Sequence, residues 1–102
     1  MAQENIIILI QKYYKAIREC ADIKRVMLFG STAHGTDRDD SDIDVAVFIE
    51  NAPQDYYALL TRLYTIGRSV NSRIEPHLLI NEEPIPLTRI VEETGIEIPI
   101  NF

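Results

Sequence analysis

The stretch Val26-Met27-Leu28-Phe29-Gly30-Ser31-Thr32-Ala33-His34-Gly35-Thr36-Asp37-Arg38-Asp39-Asp40-Ser41-Asp42-Ile43-Asp44-Val45-Ala46-Val47-Phe48-Ile49 decides how the rest of the chain is read. Its first four residues are apolar and stop at Gly30-Ser31, which predicts a buried strand ending in a tight turn. After Ser41 an alternation begins that predicts a second strand. On it Ile43, Val45, Val47 and Ile49 face one way, and Asp42, Asp44, Ala46 and Phe48 the other.

Carboxylates at i and i+2 on one strand face sit roughly 6.5–7 Å apart at the backbone, so their oxygens can converge on one cation. Without a cation the two anions repel and at least one pKa is expected to rise. Oxygen-only ligation suits Mg2+, which keeps waters and takes its remaining ligands from substrate phosphates. Gly30 allows backbone to approach a ligand closely, and Ser31 offers a hydroxyl and an N–H to a phosphate oxygen. Ser31 is also placed to cap a short helical turn whose N–H groups would face an anion.

Outward from this stretch, residues about 4–21 predict a first helix, with Ile6, Leu9, Ile10, Tyr13, Ile17, Cys20 and Ala21 forming an apolar stripe. Packing is the simplest reading of Tyr13 and Tyr14. Asn51 to Asp55 predict the start of a second helix, with Pro53 in its first turn, a buried face at Tyr56, Leu59, Leu60, Leu63, Ile66 and Val70, and an end near 69–72. Arg73 to Ile80 predict a third strand, in which Pro76 argues for an edge position or an irregularity. Glu75 is its one acid, set among apolar residues where a carboxylate is costly unless paired or bound to a cation. His77 shares the Glu75 face and could orient a ligand, a phosphate or water, with packing or a surface place as its simpler reading. A short helix over 87–94, Gly95 as its stop and an extended 95–100 complete the chain.

Composition bounds the partners. At 102 residues, with 46% hydrophobic and 25% charged residues, a single globular core is expected. The run Ile6 to Ile10 is too short to span a bilayer and has no basic leader, so no membrane role and a cytoplasmic place are expected. Lone Cys20 excludes an internal disulfide, consistent with that compartment. A net charge of −6 argues against direct nucleic-acid binding and permits a basic protein partner.

Gly30-Ser31, ten residues, then Asp42-Ile43-Asp44 resembles the signature of the polymerase-beta-like nucleotidyltransferase superfamily, and the chain is similar to its minimal nucleotidyltransferase (MNT) members. The resemblance covers the first helix, the Gly-Ser loop, the Asp-x-Asp strand, the next helix, the acid-bearing strand and the Thr94-Gly95-Ile96-Glu97-Ile98 tail. It implies one nucleotidyltransferase domain over residues 1–102 with an α+β fold, a small mixed β-sheet with helices packed on one side. It also implies transfer of a nucleoside monophosphate, AMP from ATP, to a hydroxyl with release of pyrophosphate. Asp42 and Asp44 would hold Mg2+, Glu75 would complete a two-ion site, and Gly30 and Ser31 would position phosphates. The family more often has Asp at the place of Glu75, and often a basic residue at the places of Thr32 and His34; these departures would weaken triphosphate binding or leave it to Arg38 or an arginine of the second helix, while Arg62, Arg68 and Arg73 each read most simply as surface residues.

Minimal members are commonly paired with a HEPN-domain toxin RNase, so the resemblance implies an antitoxin that adenylylates a tyrosine of such a partner. The rivals are a non-catalytic module that neutralises its partner by contact, and a stand-alone transferase acting on a small molecule. Homo-oligomerisation through the first helix and tail is left open.

Overall fold

The computed structural model describes residues 2–30, 33 and 41–101. Its elements run α1 (Ala2–Ile17), β1 (Ile23–Phe29), β2 (Ile43–Ile49), α2 (Tyr56–Val70), β3 (Ile74–Ile80), α3 (Pro86–Thr94) and β4 (Ile96–Glu97). The strands form one sheet in the order β3-β2-β1-β4. β1 pairs antiparallel with β2 and with β4, whereas β2 and β3 are parallel. A parallel pair needs a crossover, and α2 supplies it.

The period-2 pattern sorts the sheet into two unlike faces. Val26, Leu28, Ile43, Val45, Val47, Ile49, Ile74 and Leu78 pack under Ile6, Ile10, Tyr13 and Ile17 of α1 and Leu63 of α2. These two long helices share one side of the mixed sheet, as the resemblance implies. The short α3 lies against the other face, where its Val91 and Leu87 pack with Met27, Phe29, Ala46, Phe48 and Leu79.

Helix ends differ from their expected positions. α1 stops at Ile17, four residues before the expected end, and the Cys20 N–H turns back to the Ile17 carbonyl at 2.8 Å. α2 begins after Pro53: Asp55 is its N-cap, and the Asp55 carboxylate accepts the Ala58 N–H at 3.0 Å. An aspartate that satisfies an otherwise orphaned N–H defines a helix start better than proline, which only tolerates one. β3 is the sheet edge that Pro76 predicts. At Gly95 an added Cβ would lie 2.7 Å from the Val91 carbonyl oxygen and 3.0 Å from that of Leu28, so only glycine lets α3 turn directly into β4.

Candidate active site

Gly30 follows the last residue of β1 with φ of +80°, a left-handed conformation that favours glycine. A Cβ here would fall 2.5 Å from Asp44 Oδ2, so any side chain at this position would push the carboxylate aside. The register explains the meeting. Asp44 pairs with Phe29 on β1 and with Glu75 on β3, and Ala46 pairs with His77. Asp44, Glu75 and His77 therefore project from the sheet face that carries α3 and not the two long helices.

One ligand atom from each of Asp44, Glu75 and His77 lies within 4.8 Å of the others. His77 Nε2 is 3.1 Å from Asp44 Oδ1, with both side chains about three-quarters buried. The Phe29 ring meets the imidazole edge-on at 4.9 Å between centroids. Asp42 precedes β2 and is exposed, and its carboxylate hydrogen-bonds the Glu75 carboxyl. Burial first, then the bond to Asp42 and the charges of Asp44 and Asp42, push the Glu75 pKa above its ordinary value, while His77 opposes them. The charges of the neighbouring carboxylates act in the expected direction, but burial contributes most. Two or three carboxylates and an imidazole at these separations fit a divalent cation.

The start of the two strands is fixed nearby. The Ile43 N–H donates to the Arg73 carbonyl at 2.8 Å, and Arg73 Nε donates to the Ser41 carbonyl at 2.6 Å. Arg73 thus binds backbone at the loop end, while Arg62 and Arg68 are exposed on α2. Tyr64 of α2 comes near from the other side of the β3 edge: burial first, then Glu75, raises its phenol pKa, and Asp42 and Asp44 add to the effect. Tyr56, Leu60, Leu78 and Leu87 line an apolar groove that has Glu75 and His77 in its wall.

Of the residues singled out in the sequence, Gly30, Asp42, Asp44 and Glu75 come together. Ser31, Thr32, His34 and Arg38 lie outside the described residues. His77 is neither core packing nor free surface, because its ring contacts Asp44. Its place two residues from Glu75 on one strand was the available signal, and the contact itself needed the β2–β3 register.

The family model for "Polymerase beta, Nucleotidyltransferase" matches residues 6–100 of the chain. No match was found among curated proteins. Among solved structures, the chain is similar to a candidate nucleotidyltransferase from Sulfolobus solfataricus, with a TM-score of 0.67 and 16% identity over 94% of this chain and 81% of that one. It is also similar to a chain of a toxin–antitoxin solved with AMP-PNP, with a TM-score of 0.63 and 22% identity over 87% of this chain and 72% of that one.

Proposed function

The chain belongs to the polymerase beta nucleotidyltransferase family, and on that premise we propose that it transfers AMP from ATP to a hydroxyl of a partner protein, a tyrosine of a HEPN-type toxin, and so acts as an antitoxin. The observation that carries the reading is that the Glu75 carboxyl interacts with both Asp42 and Asp44, while Gly30, lacking a side chain, brings backbone against the Asp44 carboxylate.

In the proposed reaction the acceptor oxygen bonds to the α-phosphorus of ATP. The bond from that phosphorus to the bridging oxygen breaks, pyrophosphate leaves, and the hydroxyl proton passes to a carboxylate or to water. Bound Mg2+ would supply neutralisation of the triphosphate and a more acidic acceptor hydroxyl. Asp42 and Asp44 would hold the cation on the triphosphate side, and Glu75 would hold the acceptor side. Gly30, with Ser31, would let phosphate oxygens reach backbone N–H groups. Alignment and charge neutralisation are the main sources of rate in such a transfer.

A protein acceptor is supported by the apolar groove shared with Glu75 and His77, since a wall of Tyr56, Leu60, Leu78 and Leu87 suits an apolar segment better than a sugar. The likeness to a toxin–antitoxin chain supports the same partner class.

The test is to incubate the protein with its co-encoded partner, ATP and Mg2+, and to record intact masses of both chains. The expected result is one AMP added to the partner and none with the Asp42→Asn/Asp44→Asn variant. An unmodified partner in a stable complex would instead favour neutralisation by contact.

A further inference from the structure

We infer that His77 is a nitrogen ligand to the cation of this site, so that Asp44, Glu75 and His77 form a mixed oxygen–nitrogen set that prefers a first-row transition ion such as Mn2+ over Mg2+. The inference does not rest on the proposed reaction, because it concerns cation binding by the chain alone.

Distance is the first argument. Adjacent ligands of a six-coordinate ion at about 2.1 Å lie about 3.0 Å from each other. His77 Nε2 and Asp44 Oδ1 are 3.1 Å apart, already at that spacing. The Glu75 oxygen completes a set within 4.8 Å, and opposite ligands of such an ion would be separated by about 4.2 Å, so a small inward shift closes the triad.

Position is the second argument. The imidazole is held by its strand, by the Phe29 ring edge at 4.9 Å, and by its register partner Ala46, whose methyl leaves the ring room to lean toward Asp44. A surface histidine has no such constraint. Glu75 and His77 stand at i and i+2 on the edge strand, so the carboxylate and the imidazole arrive on one face, the face that Asp44 occupies on β2.

Chemistry supplies the preference. Mg2+ favours oxygen ligands and keeps its waters, whereas an imidazole nitrogen raises affinity for divalent first-row transition ions.

The test uses Mn2+ alone and Mg2+ alone, without nucleotide or partner. Titration calorimetry gives the affinity of each ion for wild type and His77→Gln, and pulsed EPR of bound Mn2+ reads nitrogen coupling directly. The expected result is imidazole coupling in wild type that changes when the protein carries 15N-labelled histidine and is absent from His77→Gln. The Mn2+ over Mg2+ preference should fall in the variant by about tenfold or more, since even an outer-shell partner of a ligand is worth about that. Bound Mn2+ without nitrogen coupling in wild type overturns the proposal and leaves His77 as a hydrogen-bond partner of Asp44. An EPR spectrum unchanged from that of the free aquo ion overturns it too. The isotope measurement is made on wild type, so it stands even if His77→Gln does not fold.

Discussion

Gly30 concentrates two constraints in one residue, a φ of +80° and an absent side chain facing Asp44 Oδ2. Gly30→Ala would add about 1–2 kcal/mol of left-handed strain and drive its methyl into the carboxylate. Urea unfolding should show a loss of that order, while calorimetry should show a proportionally greater loss of cation affinity, because Asp44 must move. Unchanged cation binding would mean that Asp44 is not held by this approach. Glu75 makes a prediction with a definite sign. Its folded pKa is raised above its ordinary value near 4.5, so both states are protonated at lower pH and stability is lost as pH rises through the folded value. Without divalent cations Glu75→Gln should therefore match or exceed wild-type thermal stability at pH 7. The difference should shrink as pH falls through the ordinary carboxylate range and vanish well below it, where Glu75 is protonated in both states, and added Mg2+ or Mn2+ should stabilise wild type more than the variant. A variant less stable than wild type at pH 7 in EDTA would contradict the account.

At the scale of elements, α2 positions the β3 edge, and Asp55 starts α2. Asp55→Ala removes the bond to the Ala58 N–H and should lower stability by about 1 kcal/mol, measured by denaturant unfolding. Its helical start was hard to read because Asn51 and Asp55 are both good caps; in the fold Asp55 takes that place, and the adjoining Tyr56 is tied to β3 by its hydroxyl, which donates to the Leu78 carbonyl at 2.6 Å. The three longer strands were far more legible. Apolar runs ending at Gly30, alternation after Ser41 and Pro76 at an edge are local signals that tertiary structure had little room to override. The face taken by α3 was not legible, since periodicity marks an apolar side of a helix without saying which side of a sheet it will cover. His77 shows the same limit at the site. Its strand face followed from a period of two, but its contact with Asp44 depends on a parallel register between residues far apart in sequence.

Across the whole molecule, α1 and α2 close one sheet face and α3 covers part of the other, leaving the carboxylates beside a groove that continues along the β3 edge. That edge is poorly suited to pairing with an incoming strand: Pro76 lacks an N–H, and the Leu78 carbonyl is already taken by Tyr56. An acceptor segment would therefore be recognised by side chains against apolar surface. Tyr57 and Ile85 stand exposed at 76% and 51% in the adjoining part of the groove, so both can be changed without disturbing the core. The Ile85 N–H, which donates to Thr88 Oγ1 at the start of α3, is a backbone group and survives substitution. Tyr57→Ser/Ile85→Ser should leave the unfolding midpoint and cation affinity near wild type. It should raise the KM for the partner protein by about tenfold, equivalent to about 1.4 kcal/mol of lost contact, with the KM for ATP unchanged. Steady-state modification of the partner at varied concentration reads this directly. An unaltered KM for the partner would mean that the acceptor reaches the carboxylates from the open sheet face and not along this edge.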